Sequence, residues 1–369
     1  GNIASTIPDG SIANEKLSDI VNFKNIIING SMDIAQRGTS TTSISSGSNY
    51  YTVDRNKVFV SNGGTWSMSQ ETDAPSGQGF VKSLKMDCTT ANASLNASSY
   101  VFVSQRFEGQ MLQYLKKGTS SAESLTASFW VKSNKTGTYI LEIKDADNSR
   151  TINKSYTISS ADTWEKKTIT FDGDTTGTLD NDNNQSIQFN FYLAAGTDWT
   201  SGTLQTSWGS QVDANRAVGQ VNLADSTANE WYITGVQLEA GTTASEFEFL
   251  PFDVNLERCQ RYFISYGGDN SYETFGFGMC YSTTEALVNV PFPTTMRSSP
   301  SVSTENLANY ASRSGSQAGG APSSLVNDFS STKVGNIQLA GLSSMTDKNA
   351  LRLYTNNSTA NRLEFSAEL

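Results

Sequence analysis

The sequence runs to 369 residues and contains no histidine, which excludes His-based acid–base catalysis, Ser/His/Asp triads and His-ligated zinc together. Its 36 acidic and 26 basic side chains leave a net charge of -10, so no broad basic surface for nucleic acid or an anionic membrane is expected. A hydrophobic fraction of 37%, with 29 glycines and 7 prolines among many Ser, Thr and Asn, favours short strands joined by polar turns. The length suits two or three bodies.

Residues 1–24 read as a connecting segment. Asp9 and Gly10 mark a turn, Ser11 can cap, and Ala13, Leu17, Ile20 and Val21 then share one helical stripe. No local sheet covers that stripe. It is either a frayed linker or a place where copies of the chain meet on a symmetry axis.

From residue 25 onward, β-favouring runs follow at 25–29, 51–60, 65–70, 80–88, 100–107, 125–132, 138–144, 150–158, 164–171, 187–193 and 231–239. Between them, 108–115 has a helical stripe of Met111, Leu112 and Leu115. Many short, half-apolar strands indicate two antiparallel sheets packed face to face. The connection 194–229 is long, polar and carries Trp199 and Trp208. A loop of that length is either functional or hides short strands.

Pro251 then opens a helix of about three turns in which Phe252, Leu256, Cys259 and Phe263 are spaced four, three and four apart. Alone it is marginal and must bury its stripe against something. Beyond it, runs at 274–281, 286–292, 333–339, 351–354 and 363–367, with a Gly/Ser-rich loop at 311–324, predict a second β body. Cys88, Cys259 and Cys280 form no CxxC pair and no even-numbered disulfide framework, and read as small buried hydrophobes. No apolar run approaches the ~18 residues of a membrane-spanning helix, and no signal-peptide pattern opens the chain.

Several stretches carry a resemblance. The run TGVQLEAG with ERCQRYF, NIIINGSMDIAQRGTS with YTVDR, FGFGMCYSTTEALVNVPFPTTMRSSPSV and the final FSAEL resemble bacteriophage tail-fibre and receptor-binding proteins. The order of a strand, a short helix, SFWVK, a strand opened by Thr-Trp, and YITGVQLE is similar to carbohydrate-binding modules of the jelly-roll type. The resemblance implies a mainly β chain. Residues 25–250 would form a jelly-roll sandwich, 251–264 a linker helix and 265–369 a second, smaller sandwich at a tip, with 1–24 serving connection and trimerisation. It also implies that the first and last strands of the jelly roll meet, with 29–33 beside 237–239.

The function implied is a virion protein of an external appendage, released in a particle, that trimerises and attaches to host surface glycan. A head fibre or capsid decoration protein and a polysaccharide depolymerase are the alternatives. Leu17, Ile20, Val21, Phe252, Leu256, Cys259 and Phe263 are then candidates for the trimer interface, with other tail or capsid proteins as further partners. No catalytic residue can be assigned, since no carboxylate pair sits in a recognisable motif. Trp199, Trp208, Trp66 and Trp130 are candidates for stacking on pyranose rings, although Trp130 and Trp164 lie in strands and suit a core better. Modules of this kind hold a structural calcium where first and last strands meet, which makes Asp33 and Glu239 candidate ligands. The alternative is that Asp33 caps a turn and Glu239 pairs with Arg37 or Arg55.

Overall fold

Two-residue alternation builds the first body. In the segment Ser83–Thr90, Leu84, Met86 and Cys88 are buried while Lys85 and Asp87 stay partly in solvent, as a pleated strand with one wet face requires. The computed structural model describes residues 23–304 and 306–369. Its first strands are β1 (Ser40–Ile44), β2 (Gly47–Tyr50), β3 (Lys57–Ser61), β4 (Thr65–Glu71), β5 (Ser83–Thr90), β6 (Tyr100–Glu108) and β7 (Leu125–Ser133). There follow β8 (Gly137–Asp145), β9 (Arg150–Ile158), β10 (Glu165–Phe171), β11 (Gln185–Ala195), the short helix α1 (Thr197–Thr200), β12 (Gly209–Ser210) and β13 (Glu230–Ala240).

These strands form a six-stranded sheet, β1-β4-β5-β13-β7-β10, and a seven-stranded sheet, β12-β9-β8-β11-β6-β3-β2. Neighbouring strands run antiparallel throughout. Trp66, Phe129, Tyr139, Phe189 and Trp231 fill the space between the sheets. This is the expected jelly-roll sandwich.

The run 25–29 was expected as a strand and is not one. Ile26, Ile27 and Ile28 are buried, yet their backbone groups are answered largely by side-chain amides. Asn25 Oδ1 accepts from the amides of Ile27 and Leu238, each at 3.0 Å. Gln105 accepts from Ile28 N at 2.7 Å and returns a bond to Ile28 O at 2.9 Å. Asn29, at φ 60, bonds the chain at Ile34 in both directions. The buried segment is therefore satisfied without a ladder. It does lie along β13: Ile26 N donates to Leu238 O at 2.8 Å and Val236 N to Gly30 O at 2.9 Å. Only glycine fits at position 30, because a Cβ there would sit 2.1 Å from Val236 O.

The expected helix at 108–115 is instead two single 3-10 turns, Gly109–Met111 and Gln113–Leu115. Lys116, left-handed at φ 52, ends the second turn, and Leu112 and Leu115 still reach the core. The helix α2 (Phe252–Gln260) forms behind Pro251. Its stripe is partly claimed by its own chain: Cys259 and Leu256 join Ile28, Ile34 and Tyr262 in a small cluster. Phe263, buried at 2%, opens the next strand with the Arg37 guanidinium 3.4 Å above its ring. Cys259 and Phe263 therefore offer no surface to a second copy, whereas Phe252 is 64% exposed. Leu17, Ile20 and Val21 lie outside the described residues.

After α2 come β14 (Phe263–Tyr266), β15 (Thr274–Cys280), β16 (Ala286–Pro291), β17 (Ser301–Thr304) and β18 (Tyr310–Ser314). They are followed by β19 (Gln317–Gly320), β20 (Ser324–Asn327), β21 (Val334–Ala340), β22 (Ala350–Thr355) and β23 (Leu363–Ser366). A three-stranded sheet, β14-β23-β17, packs against a seven-stranded one, β19-β18-β22-β15-β16-β21-β20. Ile264, Phe365, Val288 and Leu353 lie in their shared core. The second body is thus a smaller sandwich, and all three cysteines are buried and free.

Candidate ligand-binding face

The seven-stranded sheet of the first sandwich presents a mixed polar and aromatic outer face. Val101, Val103 and Phe107 of β6, Phe189 and Phe191 of β11, and Leu141 and Ile143 of β8 all enter the core. Their alternating neighbours must point the other way. Register aligns these outward residues in rows across the strands. One row is Lys57, Ser104, Asn190 and Glu142; the next is Arg106, Gln188 and Lys144; a third is Phe59, Phe102 and Tyr192. Adjacent strands lie about 4.8 Å apart, so neighbours within a row are in reach of one ligand.

Half of the face is roofed by the 196–222 connection. Trp199, Leu204 and Ala217 pack on Phe102, Ile140 and Tyr192. Arg216 clamps the roof to the sheet, its Nε and Nη2 donating to the two Glu142 oxygens at 2.6 and 2.8 Å. Asn190 Nδ2 adds a 2.7 Å bond to the same carboxylate. A fully buried, bidentate pair of this kind fixes geometry more than it adds stability.

The other half is more open: Lys57, Phe59, Arg106, Lys144 and Gln188 are partly exposed there, while Ser104 and Asn190 are buried. Phe59 stacks on Phe102 with ring centroids 4.5 Å apart and planes 14° from parallel. Phe59 is itself only partly buried. The Arg106 guanidinium lies 5.0 Å from the Phe59 centroid, and Lys57 Nζ lies 5.5 Å from it. Beside them, Ser104 Oγ, Asn190 Oδ1 and Arg106 Nε are buried without a hydrogen-bond partner among the described residues, as are polar atoms elsewhere in the chain such as Thr52 Oγ1 and Tyr156 OH. Burial, reinforced by the Arg106 charge, pushes the Lys57 ammonium down to about 8. Burial also lowers Arg106 and Lys144.

The expected site residues scatter. Trp66 is fully buried, its Nε1 donating to Gly63 O at 2.8 Å, so it belongs to the core and has no face for a sugar. Trp208 packs against the core from the edge, bonds Asp172 O at 2.7 Å and lies under Lys117 Nζ at 4.7 Å. Trp130 sits on the outer face of the other sheet, paired with Thr234 and Lys166. Only Trp199 borders the open face, edge-on to Tyr100 at 5.2 Å with the Arg216 guanidinium 4.7 Å from its ring.

The proposed calcium pair is also accounted for differently. Both Glu239 oxygens accept from Ser245, from its N at 2.9 Å and its Oγ at 2.7 Å, so the carboxylate braces the turn after β13. Asp33 accepts from Ser31 Oγ at 2.5 Å. Arg37 and Arg55 pair with Glu368, not with Glu239. No group of three or more acidic or cysteine side chains suited to a metal occurs among the described residues.

Lys57, Phe59, Ser104, Arg106 and Gln188 were not singled out by sequence reasoning. The alternation in 100–107 does place Phe102, Ser104 and Arg106 on one side, and that is the signal available beforehand.

No protein-family model matches the chain, and no curated protein matches it in sequence. Among solved structures, it is similar to the enzymatically active domain of tailspike protein 4 of bacteriophage CBA120, at 13% identity over 60% of this chain and 22% of that one, TM-score 0.30. A putative sugar-binding protein from Bacteroides thetaiotaomicron aligns at 13% identity over 58% of this chain and 99% of its own, TM-score 0.30. A family 11 carbohydrate-binding module of a Clostridium thermocellum cellulosomal cellulase aligns at 14% over 54% and 98%, TM-score 0.27. The chain thus spans about a fifth of the length of that tailspike domain and nearly all of the other two.

Proposed function

We propose that this chain is a non-catalytic attachment protein of a bacteriophage fibre, and that it holds host surface glycan on the open half of the seven-stranded sheet. The observation that carries the reading is the combination at one place of a partly exposed aromatic, Phe59 backed by Phe102, with the partly exposed polar side chains of Lys57, Arg106 and Gln188 around it. A pyranose presents an apolar face of C–H groups to an aromatic ring, and its hydroxyls both donate and accept. Phe59 can take the apolar face, and Lys57, Arg106 and Gln188 can bond the hydroxyls. The fibre assignment rests on the sequence resemblance described above.

A single sugar contact of this kind is weak, and trimeric presentation raises effective affinity by roughly 10² to 10⁴. The trimer rests on the sequence resemblance, and self-association would cover Phe252, which is 64% exposed.

The test is a binding isotherm against a panel of bacterial surface oligosaccharides, run with the natural chain and with Phe59→Ala. A loss of at least tenfold with unchanged thermal unfolding supports the reading. Unaltered affinity in Phe59→Ala rules out the proposed platform. Light scattering that gives a monomer mass would remove the trimer.

A further inference from the structure

The charge on the open face is unlike that of the rest of the chain. The protein carries a net charge of -10, and most cations on its first sandwich are matched: Arg216 with Glu142, Lys117 with Asp145 and Asp174, Lys132 with Asp73. Lys57, Arg106 and Lys144 instead share two adjacent rows of one sheet face without an ion pair among the described residues. Among the described residues, Lys57 Nζ donates to the backbone oxygen of Leu369, at 3.3 Å. The one carboxylate in those rows, Glu142, is consumed by Arg216 and Asn190.

Burial strips hydration from Lys57 and Arg106, and the Arg106 charge further depresses Lys57, only partly offset by Glu368, a cost that an arriving anion reduces. Arg106 has the geometry to receive it. Its guanidinium donates no hydrogen bond among the described residues, the side chain is partly exposed, and its guanidinium lies 5.0 Å from the Phe59 centroid. A guanidinium fork matches a carboxylate with two parallel bonds, while Lys57 and Lys144 supply point charges on either side.

Resting on the glycan reading above, we infer that this face selects a saccharide bearing a carboxylate, as in a hexuronic or nonulosonic acid, with Arg106 as the residue that takes the carboxylate and Phe59 the residue that takes the ring. Neutral sugars of the same shape bring no charge to the Arg106 guanidinium and bind more weakly.

The experiment uses the full chain and a panel of acidic oligosaccharides, each paired with the same oligomer after its carboxyl groups are reduced to alcohols, plus phosphorylated hexoses as a separate arm. The expected result is at least a tenfold loss of affinity on carboxyl reduction, and a loss of similar size for the acidic members between 50 and 500 mM salt. In Arg106→Gln the acidic and reduced forms should bind alike. Lys144→Gln, a half-exposed position, gives the same direction with a smaller effect and serves if Arg106→Gln fails to fold. Equal binding of acidic and reduced forms, with both lost in Phe59→Ala, overturns this inference and leaves the glycan reading standing. Binding of phosphorylated members alone overturns the carboxylate assignment. Binding of no member overturns both.

Discussion

The Glu368 carboxylate closes on the guanidinium of Arg55, which is wholly buried, and takes a second bond from Arg37 at 3.2 Å. Arg55 stacks on Tyr262 at 3.5 Å and donates to Arg106 O at 2.7 Å. Tyr262 OH and Arg261 in turn bind Glu108 at 2.5 to 2.7 Å. One network therefore ties strands of the first sandwich, the end of α2 and the last residues of the chain. Removing one partner of such a pair leaves a desolvated charge without its counterion. Glu368→Ala should destabilise the protein by about 3–5 kcal/mol in urea unfolding. Pairing it with Arg55→Met should restore part of that loss, which a double-mutant cycle reads directly.

Asp54 should give a distinct acid-range signature. It is buried and accepts from Gln36 N at 2.9 Å and Gln36 Nε2 at 2.5 Å. Burial outweighs these bonds and the Arg37 charge, lifting the group from its ordinary 3.8 to about 6. Between those values the folded state holds more protons than the unfolded one, so this group makes stability fall as pH rises from about 4 to about 6. The stability difference between the natural chain and Asp54→Asn should change by about 3 kcal/mol over that range and stay flat above it. Equilibrium unfolding at stepped pH measures it; a constant difference would contradict the assignment.

The two tryptophans of the 194–229 connection should separate. Trp208 is bound to Asp172 O and packs on the core, so Trp208→Ala should cost about 2–4 kcal/mol and leave glycan affinity unchanged. Trp199 holds the roof against Tyr100 and Tyr192. Trp199→Ala should loosen the 197–217 backbone in hydrogen exchange and alter glycan affinity. Equal behaviour of the two variants in both assays would contradict this division.

The strands were legible because alternation is a local signal, and it located most of the strands of the first sandwich. Which face turns inward was less so. Trp66 and Met68 clearly share a side, but period two alone does not say whether that side meets solvent; both are at 0% exposure. The run 25–29 looked like a strand because its β-branched residues suit one. Its amides at Ile27 and Ile28 bond to the Asn25 and Gln105 side chains, which nothing local announces. The motif fragments AQR, YTVDR, ERCQRYF and FSAEL were visible as strings, yet Arg55 and Glu368 stand 313 residues apart. Only the folded chain brings them together.

The open face itself supplies the last test, through Lys57. Its ammonium faces the Tyr50 ring at 5.2 Å and the Phe59 ring at 5.5 Å, with Arg55, Arg106 and Glu368 as the charges around it and Leu369 O as its bonded partner. Burial comes first among the causes that lower it to about 8 from an ordinary 10.5, followed by Arg106. The unfolded chain keeps this proton up to about 10.5, so in the window from 8 to 10.5 the unfolded state binds more protons and this group makes stability rise with pH. Binding of an acidic saccharide should move the opposite way. The anion favours the charged amine, so affinity should be highest at pH 6 to 7 and fall several-fold by pH 9.5 as Lys57 loses its proton. Calorimetric titration across that range measures both the fall and the proton uptake that accompanies binding near pH 8. In Lys57→Gln the affinity should be lower at pH 7 and nearly independent of pH. A pH-independent affinity in the natural chain would mean that Lys57 stays outside the bound anion's reach.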